Sequence, residues 1–309
     1  MTPLEIQSLT KWYGSVRGIE DVSFDIQQGE IFGYLGPNGS GKTTTIRCIM
    51  GLLKPGNGSV RVFGKSVRHG MATGHNRIGY LPGDFRILGA LKGERALDVL
   101  ASLGDGGKAK NKRLELAERL GLNLKRRIWT LSKGNRQKVG IIYAFQHEPE
   151  ILILDEPTSG LDPLISQVVL DLIRQAADNS ATVMLSSHDL AEVSAVCGRA
   201  AILRQGRIVE LSHISDIVSE RESQLKIWFV EGTDVPDVPD VPVERLAGVR
   251  QIERNGQMLH IAYHGRIDAV LKWLAQFPIS RIKTHETSLE EAFMQYYDVT
   301  ADKGEGKQS

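Results

Sequence analysis

The chain has 309 residues, 41% of them hydrophobic and 24% charged, and its 38 basic and 37 acidic side chains leave a net charge of +1. That length fits one large domain plus a smaller one, and the composition is that of a soluble globular protein. A charge so near zero gives no electrostatic ground for nucleic acid as the main ligand, and none is expected as a partner.

Residues 1 to about 85 are strand-rich: LEIQSLTKWYG, VSFDIQQGEIFGYLG and GSVRVFGKSV alternate or run apolar between turn signals. The first residues show no basic segment followed by an apolar one, so no signal peptide is expected. From about 85 to 146 helical spacing takes over, interrupted by GDGGKAKNK, which reads as an exposed loop. Strands return at 151–154, 181–187 and 200–203, with a helical stretch at 164–177 between the first two. Strand, helix, strand at this spacing predicts a parallel α/β sheet. LRQGRIVE then predicts a hairpin around Gln205 and Gly206.

Near residue 220 the character shifts, which sets the expected domains at 1–220 and 221–309. DVPDVPDVPV repeats Val-Pro-Asp, and its prolines predict an extended, stiff segment. A strand at 249–254, a turn at Asn255 and Gly256, and a strand at 258–263 follow. A helix at 267–276, a strand at 279–283 and a helix at 289–297 complete a small α+β accessory domain, and ADKGEGKQS reads as a disordered tail. No apolar run approaches the roughly 18 residues of a spanning helix. Cys48 and Cys197 sit among apolar neighbours, which predicts small buried hydrophobes and a reducing, intracellular compartment.

The most informative stretch is GPNGSGKTT: Gly36, Pro37, Asn38, Gly39, Ser40, Gly41, Lys42, Thr43 and Thr44. It fits G-x-x-x-x-G-K-[ST] between an apolar strand at 31–35 and a helical stretch at 43–50. Such a loop turns successive backbone N–H groups inward around an anion, and the helix N-terminus adds partial positive charge. Lys42 is expected to reach the β- and γ-phosphates of a nucleotide, and the Thr43 hydroxyl to ligate Mg²⁺.

ILILDEPTSGLD, at 151–162, runs four aliphatic side chains straight into Asp155 and Glu156. Charges at the tip of a buried strand are costly unless a metal ion, a water to be deprotonated or a cationic partner stands there. Beside a phosphate-binding loop, Asp155 is expected to help hold Mg²⁺ and Glu156 to act as general base on the attacking water.

On these motifs and several others, over roughly residues 4–215, the sequence resembles the ATP-binding cassette (ABC) ATPases, the nucleotide-binding subunits of ABC transporters. GPNGSGKTT looks like the family's Walker A, and ILILDEP like its Walker B with the catalytic glutamate. LSKGNRQK, at 131–138, is similar to its signature motif, SGLD with Asp162 to its D-loop, and SSHD with His188 to its switch histidine. Tyr13 occupies the place of the aromatic that stacks on adenine, with Trp12 beside it as the alternative. Read alone, Ser132 is a good helix N-cap.

The resemblance implies an α/β P-loop NTPase core of the ABC ATPase type, with antiparallel β and helical subdomains, plus the small C-terminal α+β domain. It implies ATP and Mg²⁺ as cofactors, and Lys42, Glu156 and His188 as the catalytic set. Ser132 and Gly134 would face the ATP bound on a second copy of the chain, so that two subunits sandwich two nucleotides. The implied partner is an integral membrane permease, and the implied location is cytoplasmic, peripheral on the inner face of the cell membrane. The single cassette, the C-terminal domain and the ending TSLEEAFMQYY look like the ATPases of drug and antibiotic exporters. An importer subunit is the alternative, and so is a soluble ATPase acting on ribosomes or chromosomes, which carries two cassettes or a long coiled coil.

Two places depart from the family. The signature has Lys133 and Asn135 where glycine and glutamine are commonest. IGYLPGDF puts Gly83 where a glutamine usually follows the proline, so either Asp84 or a water is expected to supply the missing oxygen at the metal.

Overall fold

The structure is a computed structural model in which residues 2–70, 77–86, 89–102, 109–219, 223–232, 249–263 and 267–285 are described. The Val-Pro-Asp repeat, the helix expected at 289–297 and the tail lie outside these residues. The chain divides into two compact units, Met1–Ser212 and His213–Ser309. Among the described residues no helix is long and apolar enough to cross a membrane.

In the first unit, β1 (Leu4–Tyr13), β2 (Val16–Ile26), β3 (Ile31–Leu35), α1 (Lys42–Ile49), β4 (Asn57–Val62), β5 (Lys65–Ser66) and β6 (Ile78–Leu81) come first. The helices α2 (Gly93–Ala101), α3 (Ala109–Arg119) and α4 (Lys133–Phe145) follow. Then β7 (Ile151–Asp155), α5 (Pro163–Asp178), β8 (Thr182–Ser187), α6 (Leu190–Val196), β9 (Arg199–Arg204) and β10 (Arg207–His213) complete it.

Strands β2-β1-β4-β5 form an antiparallel sheet, and β10-β9-β3-β8-β7-β6 form a second, six-stranded one. In the second sheet β3 pairs in parallel with β8 and β9, and β7 with β6 and β8. All five residues of β7 are buried, as a near-continuous apolar run covered on both faces requires. The two sheets share a core in which Phe24 stacks on Phe32 at 5.1 Å. Tyr34 lies in the same core and spends its hydroxyl on Thr45 of α1 at 2.9 Å, which fixes that helix over the sheet.

The parallel register places the function. Leu35 pairs with Ser187 and Asp155 with Ser186, so the loops leaving β3, β7 and β8 emerge side by side at the carboxyl edge of the sheet. Ligands of open α/β sheets bind at that edge.

Several elements differ from the sequence reading. α3 begins at Ala109, so the last four residues of GDGGKAKNK are helix, with Lys112 paired to Glu115 at 3.0 Å. Arg113 of the same helix is buried, bonded to Gln146 at 3.0 Å and Asp98 at 2.5 Å, and so ties α2, α3 and the end of α4 together. The hairpin at Gln205 and Gly206 forms with φ of 46° and 80°, the two positive values of a type I′ turn. Cys48 and Cys197 are buried and unpaired, and burial pushes the Cys48 thiol up to about 11.

The second unit holds α7 (Ile214–Ser219), β11 (Ser223–Phe229), β12 (Val249–Asn255), β13 (Met258–Tyr263), α8 (Asp268–Leu274) and β14 (Ile279–His285). A boundary at 220 would leave α7 with the first unit, whereas the division falls before it. The strands form one antiparallel sheet in the order β12-β13-β11-β14. Its core joins Leu225, Ile227, Leu259 and Ile261 to Val270 and Leu274 of α8. β11 is a strand beyond those the sequence analysis names, and SQLKIWF alternates polar and apolar residues as a half-buried strand should.

Candidate functional site

The helices α4, α5 and α6 each begin with a side chain that accepts from their own first-turn amides: Ser132, Asp162 and Asp189. α1 does not. It follows Gly41, a left-handed glycine at φ 113° with no side chain to offer, and its first turn holds no acid. Its orphan N–H groups face a cleft of about 310 Å³ lined by Tyr13, Arg17, Gly18, residues 37–39 and 41–44, Gly83, Asp155 and Glu156. A Cβ on Gly41 would fall 2.7 Å from the Gly18 carbonyl oxygen, so the turn admits only glycine on two counts. An uncapped helix end is a fitting place for phosphate oxygens.

Lys42 is buried, its ammonium donating to the carbonyl of Gly36 at 2.5 Å and of Pro37 at 3.3 Å, and it stands 3.4 Å from Glu156 Oε1. Thr43 donates its hydroxyl to Asp155 Oδ2 at 2.9 Å, and Ser186 donates to Oδ1 at 2.9 Å. A hydroxyl and a carboxylate oxygen side by side are the hard donors that Mg²⁺ takes when phosphates supply the rest of its shell. Glu156 sits one residue past the strand with φ 53°, a left-handed conformation that costs a side-chain-bearing residue about 1–2 kcal/mol. That turn aims its carboxylate at Lys42 on one side and at His188 on the other, whose Nδ1 lies 2.5 Å from Oε2.

Tyr13, rather than Trp12, lines the cleft, its hydroxyl 3.4 Å from Thr44 Oγ1, because neighbouring residues of a strand point to opposite faces. Gly83 also lines it, and a Cβ there would come within 3.3 Å of Asp155 Oδ2. Asp84 is not brought to the metal position: its carboxylate is 74% exposed and paired with Arg86 at 2.8 Å. Ser132, Gly134 and Asp162 do not line this cleft. Ser132 caps α4 by accepting from Asn135 N at 3.2 Å, and Asp162 caps α5 by accepting from Ile165 N at 3.1 Å. Gly134 is pressed against the D-loop, where a Cβ would meet the Gly160 carbonyl oxygen at 2.6 Å.

The sequence profile of the ABC transporter family matches residues 19–159. An uncharacterized ABC transporter ATP-binding protein of Bacillus subtilis, YhcH, is 33% identical over 306 residues, 95% of each chain. This chain belongs to the ABC transporter ATP-binding proteins. The bacitracin transport ATP-binding protein BcrA of Enterococcus faecalis is 35% identical over 69% of this chain and 70% of its own. The linearmycin resistance ATP-binding protein LnrL of Bacillus subtilis is 33% identical over 70% and 71%. A solved ATP-binding subunit of an ABC transporter superposes with a TM-score of 0.63 at 32% identity, over 71% of this chain and 93% of that one. The first unit therefore has the α/β P-loop fold of an ABC cassette.

Within that cassette two supports of the site escaped the sequence reading. Gln137, buried on α4, donates to the backbone carbonyls of Glu156 and Pro157, both at 3.1 Å. It carries the signature helix directly onto the turn that holds Glu156. Ser186 shares Asp155 with Thr43 and leaves that carboxylate oriented by two hydroxyls. Neither residue type announces itself in a helix or strand pattern, so only the fold reveals them.

Proposed function

We propose that this chain hydrolyses ATP to drive a separate integral membrane permease, with a second copy of the chain completing the two nucleotide sites. The observation that carries the reading is the convergence of Lys42, Glu156 and His188, by contacts of 3.4 and 2.5 Å, beside the uncapped start of α1.

In this reading the phosphates lie on the amides of the loop 36–44, and Lys42 leaves the Gly36 and Pro37 carbonyls to bind the β- and γ-phosphate oxygens. Thr43 and Asp155 would hold Mg²⁺, which would supply positive charge to neutralise those oxygens. Glu156 Oε1, buried without a hydrogen-bond partner, is the acceptor for a proton of the attacking water. The water oxygen bonds the γ-phosphorus, the bond to the leaving ADP oxygen breaks, and the proton passes to Glu156. His188 holds Oε2 and so keeps Oε1 on the water. Tyr13 stacks on the adenine. Ser132 and Gly134, at the start of α4, present a hydroxyl and amides to the γ-phosphate bound by the partner copy, with Asp162 at the D-loop beside them.

The bacitracin transport and linearmycin resistance proteins support export of antibiotics or similar lipophilic compounds as the driven process. The place of work is then the inner face of the cell membrane, against the permease. The test is Glu156→Gln. Phosphate release should fall about 10²–10⁴-fold while nucleotide binding persists. The same variant, held in the ATP state, should retain a polytopic membrane protein from gently solubilised membranes. Wild-type turnover in Glu156→Gln, or recovery of ribosomal or chromosomal proteins alone, overturns the reading.

A further inference from the structure

Glu192 stands in the first turn of α6, three residues after the cap Asp189. A glutamate at that place ordinarily reaches back to the cap's own N–H and closes a capping box. Here that N–H is taken by Ser187 Oγ at 3.0 Å, while Asp189 Oδ1 accepts from the amides of Ala191 and Glu192 at 3.0 and 3.2 Å. The Glu192 carboxylate is turned across the loop instead. Its Oε2 accepts from the Thr158 hydroxyl at 2.7 Å and from Ser187 Oγ at 3.4 Å. Thr158 lies two residues after Glu156, and Ser187 directly precedes His188. Burial raises the Glu192 carboxyl pKa, which the Thr158 hydrogen bond opposes and the nearby Asp189 and Glu156 carboxylates reinforce. A carboxylate placed where burial penalises its charge is held there by what it bonds.

The turn it bonds needs holding. Glu156 adopts φ 53°, and such residues persist only where their surroundings over-determine them. Its amide donates to the Ser186 carbonyl at 2.9 Å, and Gln137 fastens its carbonyl from α4. From the segment that bears His188, Ser186 holds Asp155 and His188 meets Glu156 itself, and Glu192 adds a hold on Thr158, beyond the strained residue.

We propose that Glu192 is a positioning residue for hydrolysis: by gripping Thr158 it fixes the turn after β7 to the loop after β8, and so sets how Glu156 meets His188. This rests on the hydrolytic reading above. The grip needs an acceptor oxygen and not a charge, so an amide can replace the carboxylate and a methyl cannot.

The experiment measures steady-state ATP hydrolysis of the full chain with Mg²⁺ for wild type, Glu192→Ala, Glu192→Gln, Thr158→Val and the Glu192→Ala/Thr158→Val double variant. Glu192→Ala and Thr158→Val should each lower kcat by about 10- to 100-fold with KM for ATP within about threefold, since the phosphate loop is untouched. Glu192→Gln should restore kcat to within about threefold of wild type. The double variant should be no slower than either single one, the mark of two ends of one contact. Unchanged kcat in Glu192→Ala, no rescue by glutamine, or additive losses overturns the proposal. If Glu192→Ala does not fold, Thr158→Val decides from the other end, and its wild-type kcat is the overturning result. No turnover from the wild-type chain sinks the hydrolytic reading itself. Turnover that Glu156→Gln abolishes and Glu192→Ala leaves intact sinks only the role of Glu192.

Discussion

His188 Nδ1 stands 2.5 Å from Glu156 Oε2, while the other oxygen of the same carboxylate, Oε1, faces Lys42 Nζ at 3.4 Å. One oxygen is thus occupied by the imidazole and the other is left for a ligand. His188 is 60% exposed, so its removal opens no cavity. His188→Ala should therefore keep its melting temperature and lower kcat by about 10²-fold through a misplaced Glu156. Steady-state phosphate release beside a thermal melt checks both halves.

Lys42 is the buried cation of the cleft, and its partners within the chain are two carbonyls and Glu156. A charge-assisted hydrogen bond contributes about 1.5–3 kcal/mol, so Lys42→Met should weaken ATP binding by about 10- to 100-fold. Stabilisation by ligand follows its concentration over Kd. The rise in melting temperature that ATP gives the wild-type chain should shrink in the variant at the same ATP concentration.

Thr43 donates to Asp155 Oδ2 at 2.9 Å, so the two oxygens proposed to hold Mg²⁺ stand side by side. Chelating divalent cations should stop hydrolysis. Thr43→Val removes one oxygen donor and keeps the shape. It should raise the Mg²⁺ concentration for half-maximal hydrolysis by about tenfold or more, read from a magnesium titration at fixed ATP.

The parts of this site legible in the sequence are those that constrain the backbone or charge a buried place. GPNGSGKTT needs its glycines at fixed positions, and Asp155 and Glu156 break an apolar run that has no other reason to end in acids. Residues that act on others are silent: Gln137 and Thr158 are polar side chains whose partners lie 19 and 34 positions away. The left-handed turn at Glu156 is equally silent, since no glycine marks it. Tyr13 and Trp12 could not be separated by composition, but the pleat of β1 separates them. Asp84 has the right chemistry in the right loop, and Arg86 two positions on takes it. Local ion pairs of that kind compete with any role drawn from residue type.

Packing beside the site can be tested without touching the chemistry. A Cβ on Gly79 of β6 would lie 2.2 Å from the Ala144 carbonyl oxygen and 2.7 Å from Leu152 Cδ2. Backbone on one side and core on the other leave nothing flexible to move, so Gly79→Ala should destabilise the chain by about 1–3 kcal/mol or more. Nearby, Arg77 pairs with Glu150 at 2.5 Å with both side chains about half exposed. Arg77→Ala should cost under about 1 kcal/mol. Denaturant melts of the two variants should rank in that order, and equal losses would contradict the packing described for β6 against α4.

His147 gives the pH dependence a sign. It follows α4, partly buried, with Nε2 3.3 Å from the Ile78 carbonyl oxygen. Burial lowers its pKa, opposed by the carbonyls of Ile78 and Tyr143. The folded chain therefore prefers the neutral ring, while the unfolded chain takes up a proton near the ordinary value of about 6.5. Below that value the unfolded state binds more protons, so stability is full above it and falls as pH drops toward the lowered folded value. His147→Gln keeps a donor for the Ile78 carbonyl and removes the titration. Its melting temperature should fall less than that of the wild type between pH 7 and pH 5. Parallel losses in the two proteins would mean that the acid sensitivity resides in other groups and that His147 is charged without cost.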